Sequence, residues 1–575
     1  MFYNASSKTF IGEWKVGMVI QKVNFHESFG KVMDCMSGQD RTIHKMETVI
    51  GLLVTLLLVV VHFKVMMYAG PLWRDEINTV NLAMEPSFSK IWAMKEYDSF
   101  PLLWVAVLRG WVNVGLGDTD LALRSLGLII GLGILLAIWL NARWLGYGVP
   151  LLSLLFFGFS STVFRFGDSL RAYGCGALLL LLAMGAIWRL VQKPTIPRTI
   201  LAGVASIFSV QCLYQNLVLL FAVCAGGVAV AIRRRAWKTA FITTGIWVVS
   251  ASSLLPYFGS MHRLRSWNVL LKYPIGLEWI FNKFSQAIGG SGTFIVWLWF
   301  VLMGCAIMVG IHRGFQRVPD SGEQQADKAL FMGIGLIVGT VTYVAFLMVL
   351  GYQTEPWYYI SVMALLAVSF DVAIYLLVSS SSTLRLIRLV FVVVVAIAIS
   401  NGVWAAAGIR QTNIDLICSR LEAMASRDDL IVVNPWMLGI TFDRYYKGST
   451  PWSTLPDIQD HKVHRYDLFK EKMMDSEPIT PLLSRISQTL HGGHRVWLVG
   501  GLHFFFPGDS PGNLPLAPRA TSGWLASPYY LVWSQQAAYW VMRQTQGYTI
   551  VPVPVPGPVN PYENQILVMV ERQNR

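Results

Sequence analysis

The sequence predicts a polytopic α-helical membrane protein that carries an α/β domain at its carboxyl end. Of its 575 residues, 54% are hydrophobic and only 14% are charged, whereas a soluble globular protein carries about 25% charged residues. Apolar runs typical of membrane helices recur between residues 48 and 408. From residue 409 onward the composition becomes mixed and polar, and short strand-like and helix-like segments alternate.

The net charge of +13 suits two kinds of partner, a nucleic acid and a membrane. In membrane proteins Lys and Arg accumulate in cytoplasmic loops and set the orientation of the chain. No nucleic-acid-binding motif accompanies the basic residues, so the charge indicates a lipid bilayer as partner and no nucleic acid. The six cysteines are scattered without a C-x-x-C pair and predict no disulfide framework.

Residues 1–47 are predicted to form a cytoplasmic amino-terminal tail, and the first span follows at 49–68. The polar segment 69–120 is then the first outer loop. Inside it, the apolar stretch 101–117 is short for about 30 Å of hydrocarbon and carries Arg109 at its middle. We therefore expect an amphipathic helix along the membrane surface there, rather than a further span.

The distribution of basic residues predicts the topology. The eleven predicted spans are 49–68, 121–141, 149–163, 172–190, 199–213, 217–232, 239–258, 291–311, 329–350, 357–379 and 388–408. With the amino terminus inside, basic residues such as Arg233–Arg235 fall in inner loops, and the short outer turns 214–216 and 351–356 hold none. Counting 101–117 as a span would place Arg233–Arg235 outside. The membrane domain is therefore predicted at 48–408.

Residues 409–575 then face outward and are predicted to form one extracytoplasmic α/β domain. Apolar runs rich in Val and Ile predict its strands, and longer amphipathic segments predict its helices. The strands are expected at 429–434, 495–499, 548–555 and 565–571, and the helices at 436–446, 482–491 and 529–546.

Charged residues cluster in three outer segments that this topology places on one side of the membrane. They are Asp75-Glu76 after the first span, Tyr97-Asp98-Ser-Phe-Pro101 followed by Arg124, and the turn Arg165–Tyr173 with Asp168 and Arg171. Charged groups at membrane depth are costly and are usually functional. Arginines can hold a phosphate through paired N–H groups, and a nearby carboxylate can take a proton from a hydroxyl or an amine.

The order of these motifs resembles the GT-C superfamily of integral-membrane glycosyltransferases. The nearest branch is that of the protein O-mannosyltransferases and the lipid A aminoarabinose transferase. The matching elements, in order, are Asp75-Glu76, an amphipathic stretch opened by Asp98 and Pro101, Leu123-Arg124-Ser-Leu-Gly127 at the head of the second span, Arg171-x-Tyr173 and Glu355-Pro-Trp-Tyr-Tyr359. The resemblance covers about residues 48–410.

The resemblance implies that a sugar moves, with inversion at its reacting carbon, from a polyprenyl-phosphate donor to an extracytoplasmic protein, lipid or glycan at the cell inner membrane. By motif match, Asp75 would be the base or the carboxylate that orients the acceptor, with Glu76 beside it. Arg124 and Arg171 would lie at the donor phosphate. The substrate-binding residues would be Asp98, Asp168, Tyr173, Glu355 and Tyr358. One proline follows Asp98 where the family often has two.

The outer loop 259–290 is unusually basic for its predicted side of the membrane. Its residues Arg263 and Arg265 are candidates for the donor phosphate, although a loop that faces lipid headgroups would look the same. The pairs His461/His464 and His491/His494 lack nearby Cys or ordered carboxylates and make a poor zinc signature. No resident cofactor is predicted, and a divalent metal stays open.

Structural interpretations and other functions compete with this assignment. Asp75 and Glu76 could cap a helix that starts at Ile77, and Arg124 could be an interfacial anchor. A flippase for a lipid-linked saccharide is a second function, and an inactive relative that binds the envelope through residues 409–575 is a third. Transporters usually carry charges at the midplane together with internal repeats. Here the charges lie at one face and no repeat is visible, which favours the enzyme.

Overall fold

The computed structural model describes residues 38–266, 275–289, 292–316, 320–351, 353–504, 510–519, 525–545 and 547–572. The chain divides into two compact units, Met1–Met46 and Glu47–Arg575. Only the beginning of helix Gly38–Tyr68 is described in the first unit. Most of the predicted tail 1–47 therefore lies outside the described residues.

Long apolar helices dominate the second unit. Within the described residues, nine helices are long and apolar enough to cross a membrane. They are Asp40–Tyr68, Asp120–Leu145, Ala172–Gln192, Asn216–Arg233, Trp237–His262, Thr293–Gly314, Gly322–Leu350, Pro356–Val378 and Ser382–Ala406. Each corresponds to a predicted span, because an uninterrupted apolar run of this length is a strong helix signal. The chain is thus a polytopic α-helical membrane protein.

Two of the eleven predicted spans take shorter forms. The segment predicted at 199–213 is the apolar helix Ile196–Cys212, which has 17 residues. The segment predicted at 149–163 breaks into wide helical turns, among them Ser153–Gly158 and Val163–Gly167. Ser and Thr residues at 160–162 interrupt its apolar run. The number of long helices in the described chain is accordingly lower than predicted.

A buried carboxylate accepts hydrogen bonds from the backbone at the start of this broken segment. Asp371, in helix Ile360–Val378, accepts hydrogen bonds from the backbone nitrogens of Leu152 and Ser153 at 2.9 and 2.8 Å. It also accepts one from the Ser153 hydroxyl at 2.6 Å. Backbone groups inside a membrane need an internal partner, so this carboxylate has a structural part.

The first outer loop contains short helices rather than a span. They are Arg74–Ala83, Phe88–Ala93 and Leu102–Trp111, the last of which continues in a wide turn to Leu116. Arg109 donates hydrogen bonds to the carbonyl oxygens of Ala83, at 3.1 Å, and Glu85. The charge inside the predicted amphipathic stretch therefore closes the end of the helix that carries Asp75.

The carboxyl-terminal part is a small α/β domain around a five-stranded sheet. Its strands are β1 (Leu430–Val433), β2 (Trp452–Thr454), β3 (Val496–Val499), β4 (Thr549–Val551) and β5 (Leu567–Val570). Their order is β2-β1-β3-β5-β4. The pairs β2-β1 and β1-β3 are parallel, and β3-β5 and β5-β4 are antiparallel.

Helices cover both faces of this sheet, and β1 and β3 are buried along their whole length. The helices are Ile414–Met424, Gly439–Tyr445, Tyr466–Met473, Thr480–His491 and Ala526–Met542. The pattern had predicted four of the strands and three of the helices. Strand β2 has three residues and lies between prolines, which is too short for a periodic signal.

Candidate active site

The helix Arg74–Ala83 presents the adjacent carboxylates Asp75 and Glu76. Its first turn is fixed from two directions. The backbone nitrogen of Trp73 donates to Glu76 Oε2 at 3.2 Å, and that of Arg74 donates to Glu563 Oε1 at 2.9 Å. Helix starts leave unpaired N–H groups that acidic side chains can accept. One of the two caps comes from the α/β domain.

Glu76 is fully buried in an ion pair with Arg124. The two terminal nitrogens of Arg124 donate to the two carboxylate oxygens at 3.1 Å each. Arg124 also donates to the carbonyl oxygens of Gly70, at 2.7 Å, and Pro71, at 2.8 Å. Glu76 Oε1 accepts a further bond from the Leu170 nitrogen at 3.0 Å. The pair therefore joins the outer loop to the second span, and its polar atoms are engaged within the protein.

Asp75 is placed differently from its neighbour, because a quarter of its side chain is exposed. Its Oδ1 lies 3.3 Å from His464 Nε2 and 3.6 Å from Arg74 Nε. Burial alone would raise the pKa of Asp75, but contact with His464 and the charges of Arg74 and Arg171 hold it well below its usual value. Asp75 is thus an ionised carboxylate with access to solvent.

Arg171 and Asp98 lie beside the same helix. Arg171 Nη1 donates to the Thr79 hydroxyl at 2.7 Å, and lies 3.1 Å from the Asp75 carbonyl oxygen and 3.4 Å from Asp98 Oδ1. Its guanidinium carbon is 4.4 Å from the centre of the Phe100 ring. The arginine is therefore held against the Asp75 helix, where its charge stabilises the ionised carboxylate.

A buried lysine completes this neighbourhood. Lys95 Nζ donates to the carbonyl oxygen of Asp98 at 2.7 Å. Burial lowers the pKa of Lys95 to about 8, against the opposing charge of Asp98. The second predicted motif, 97–101, is thus brought to the first one through Arg171, so both motifs lie on the same side of the membrane domain.

Asp168 makes a pair that sequence reasoning did not predict. Its Oδ2 lies 2.6 Å from Nδ1 of His62, which is in the first span. Both side chains are buried. Gly131 leaves room for the pair, since a Cβ atom there would lie 2.5 Å from either side chain. Asp168 is therefore part of the packing between the first two spans.

A second cluster surrounds a cavity of about 180 Å³. The cavity is lined by Ser161, Thr162, Arg165, Phe166, Gln286, Pro356, Asn560, Pro561 and Tyr562. Nε and Nη2 of Arg165 are buried without a hydrogen-bond partner among the described residues. Burial lowers the pKa of Arg165 to about 10, so the guanidinium stays charged at neutral pH. An unpaired buried cation beside a cavity is costly unless an anion joins it.

Glu355 lies at the rim of this cluster. Its Oε2 accepts hydrogen bonds from Lys283 Nζ at 2.9 Å and from the Tyr562 hydroxyl at 2.8 Å. Tyr358 packs against Tyr173, with ring centres 5.7 Å apart. The late aromatic motif is thus close to the Arg171 turn, as the motif order implies.

Aromatic rings connect the cavity to the Asp75 helix. The ring centre of Trp357 lies 5.7 Å from that of Trp73 and 5.2 Å from that of Tyr562. Arg74 Nη1 donates to the Tyr562 carbonyl oxygen at 3.1 Å while its Nε faces Asp75. The Asp75 carboxylate and the Arg165 guanidinium therefore border one continuous set of side chains.

Several groups at the site escaped sequence reasoning. Arg165 belongs to the predicted outer turn Arg165–Tyr173 but was not predicted to bind the phosphate. His464 was weighed as a metal ligand alone. Glu563 and Tyr562 had no local signal at all. The side chains of Arg263 and Arg265 lie outside the described residues. Among the described residues, no group of three His, Cys, Asp or Glu side chains could hold a metal ion.

No family model and no curated protein matches this chain. Similar solved structures include the apo oligosaccharyltransferase of Archaeoglobus fulgidus, at 9% identity and a TM-score of 0.46, over 78% of this chain and 69% of that chain. A second is ArnT from Cupriavidus metallidurans bound to undecaprenyl phosphate, at 11% identity and a TM-score of 0.45, over 91% and 97%. At such low similarity, no residue role carries over to this chain.

Proposed function

We propose that this protein is a membrane glycosyltransferase that moves a sugar from a polyprenyl phosphate to an extracytoplasmic acceptor. The observation that carries the proposal is that two unlike groups border one continuous set of side chains. Asp75 is an accessible ionised carboxylate, and Arg165 is a half-buried arginine whose Nε and Nη2 are buried and unpaired among the described residues, at a cavity. Sugar transfer from a lipid phosphate needs a group that receives a proton and a cation that receives a phosphate.

Asp75 receives the proton of the acceptor in this proposal. Arg74 and His464 both face Oδ1, so Oδ2 is the oxygen left for the acceptor hydroxyl or amine. Because its pKa is low, Asp75 is a weak base. It therefore acts mainly by orienting the acceptor, and takes the proton late, as the new bond to the sugar carbon forms.

Arg165 holds the donor phosphate in this proposal. Its free N–H groups can bind two phosphate oxygens side by side. Lys283 lies nearby but is ion-paired with Glu355, which also accepts a hydrogen bond from Tyr562, so this pair adds no net charge at the rim. As the bond between the sugar carbon and the phosphate oxygen breaks, the leaving phosphate gains negative charge, which the Arg165 guanidinium stabilises. This assignment moves the phosphate from Arg124, whose three guanidinium nitrogens donate to Glu76, Gly70 and Pro71. Arg171 uses Nη1 for Thr79 and Asp98, while its Nε is buried without a hydrogen-bond partner among the described residues.

We assign the site and residues 409–575 to the extracytoplasmic side of the inner membrane. At the opposite end of the first span, Glu47 receives hydrogen bonds of 2.6 Å from Arg385 and from Arg388. The 21 helical steps from Glu47 to Tyr68 correspond to about 32 Å, or one bilayer core. The arginine-rich end supports a cytoplasmic position by the positive-inside rule.

The test uses purified protein in proteoliposomes that contain tritiated polyprenyl-phosphate mannose, glucose or aminoarabinose, with envelope membranes as the source of acceptors. We expect label to move from the lipid into an acid-stable glycoside, and free polyprenyl phosphate to form in equal amount. Movement of the donor between leaflets without a glycosidic bond would favour a flippase. Binding or consumption of none of the donors would refute the enzyme.

A further inference from the structure

We propose that the α/β domain supplies a positioning residue to the membrane site, namely His464, which holds Asp75 Oδ1 so that Oδ2 faces the acceptor. The inference rests on the proposed function of Asp75. Asn78 lies on the same helix as Asp75. His464 is 386 positions away from Asn78 along the chain, but its backbone nitrogen donates a hydrogen bond to the Asn78 side chain. The contact therefore couples the α/β domain to the Asp75 carboxylate, at which the acceptor would react.

Three hydrogen bonds fix the segment 462–467 on the outer loop. The His464 backbone nitrogen donates to Asn78 Oδ1 at 2.8 Å, and Asn81 Nδ2 donates to the Lys462 carbonyl oxygen at 2.8 Å. The Tyr97 hydroxyl donates to Asp467 Oδ2 at 3.0 Å. The backbone on both sides of His464 is thus held against the Asp75 helix, and the imidazole has a defined place to point.

The ring of His464 is packed as well as tethered. It is 6% exposed and packs beside the rings of Tyr466 and Trp436, whose centres are 5.6 and 6.5 Å away. Neither ring nitrogen makes a full hydrogen bond among the described residues, and Nε2 lies 3.3 Å from Asp75 Oδ1. Buried polar atoms are normally paired. Catalytic hydrogen bonds are often long without substrate and tighten when it binds, which suits this spacing.

The charge state of the imidazole decides its effect. Burial lowers the pKa of His464, so at neutral pH the ring is uncharged and Nε2–H can donate to Asp75 while the carboxylate keeps its full charge. Arg74 and Arg171 are the other charged groups that face it, and Tyr466 and Trp436 are its neutral neighbours. Protonation in mildly acidic solution would add a cation at Oδ1 and make Asp75 a poorer proton acceptor.

The test compares His464→Ala and His464→Gln with wild-type protein in the proteoliposome transfer assay. Glutamine keeps an N–H donor near the place of Nε2 but does not titrate. We expect His464→Ala to lower kcat about tenfold to a hundredfold, the effect of one hydrogen bond to a charged group, with KM for the donor unchanged. We expect His464→Gln to restore most of kcat and to remove the loss of activity that follows protonation of the imidazole in acidic solution.

Matched controls separate the possible failures. His461→Ala changes a histidine three positions away that packs on Trp452, with ring centres 4.6 Å apart, and should leave kcat unchanged. Thermal unfolding of each variant shows whether it is folded. The positioning role is refuted, and the enzyme stands, if Asp75→Asn abolishes transfer while folded His464→Ala keeps the wild-type kcat. The positioning role is also refuted if His464→Gln loses activity in acidic solution as the wild-type protein does. If Asp75→Asn transfers normally, the proposed function itself fails.

Discussion

Replacing Glu76 by alanine should destabilise the protein far more than the same change at Asp75, although the two carboxylates are adjacent. Glu76 is fully buried and accepts hydrogen bonds from Arg124, from the Trp73 nitrogen and from the Leu170 nitrogen. Removing one partner of a buried ion pair costs about 3–5 kcal/mol, and each stranded backbone N–H costs about 1–3 kcal/mol. The sum is comparable with the whole stability of a typical domain, about 5–15 kcal/mol.

Asp75 offers the matched comparison. Its side chain is a quarter exposed, and its contacts to Arg74 and His464 are 3.6 and 3.3 Å long. Long, partly exposed contacts of this kind contribute about 0–1 kcal/mol, so Asp75→Ala should fold at nearly the wild-type level. Folded fraction is measured by size-exclusion chromatography in detergent after graded heating, with intrinsic tryptophan fluorescence as a second signal.

A double variant checks that the ion pair is the cause. Glu76→Met combined with Arg124→Met removes both charges, and apolar replacements of a buried pair are often close to neutral. We expect the double variant to unfold at a higher temperature than Glu76→Ala. A wild-type unfolding temperature for Glu76→Ala, or a larger loss for Asp75→Ala than for Glu76→Ala, would refute the division of labour between the two carboxylates.

Two further predictions concern the groups around the cavity and the helix cap. Arg165→Ala should raise KM for the donor about tenfold to a hundredfold through loss of charge-assisted hydrogen bonds. The control Arg427→Ala changes an exposed arginine of the α/β domain and should leave KM unchanged. Equal KM values for the two variants in the transfer assay would contradict the phosphate assignment. Burial raises the pKa of Glu563 to about 7 from 4.5, so this group contributes stability below about pH 4.5 that is lost as pH rises through about 7. Glu563→Gln should remove up to about 3 kcal/mol of that pH-dependent loss, seen as a flatter plot of unfolding temperature between pH 5 and 8, and a slope equal to wild type would contradict it.

Local sequence could predict most of the membrane architecture. Hydropathy alone locates the nine long helices, because each contains a window of 18 mostly apolar residues. Hydropathy wrongly predicts a regular membrane helix at 149–163. The backbone nitrogens of Leu152 and Ser153 instead donate hydrogen bonds to Asp371, which is far along the chain. The polar residues at 160–162 interrupt the apolar run locally, but no residue near 149–163 indicates the contact with Asp371.

The division of roles at the site was beyond local sequence for a geometric reason. Neighbouring residues on a helix point about 100° apart, so Asp75 and Glu76 face different surroundings. The sequence shows two acids but not which one meets Arg124. His464 and Glu563 reach the same helix from the α/β domain, across 386 and 489 positions, and no periodicity or spacing predicts contacts of that range.

The most direct measurement is sugar transfer by Asp75→Asn relative to Asp428→Asn, each expressed per folded molecule. Asp428 is an exposed aspartate of the α/β domain and is the matched control. Loss of a proton acceptor in the reaction lowers rates about a hundredfold or more, so Asp75→Asn is predicted to lose transfer by that factor while Asp428→Asn keeps the wild-type rate. Equal transfer by the two variants would contradict the assignment of Asp75 to the reaction.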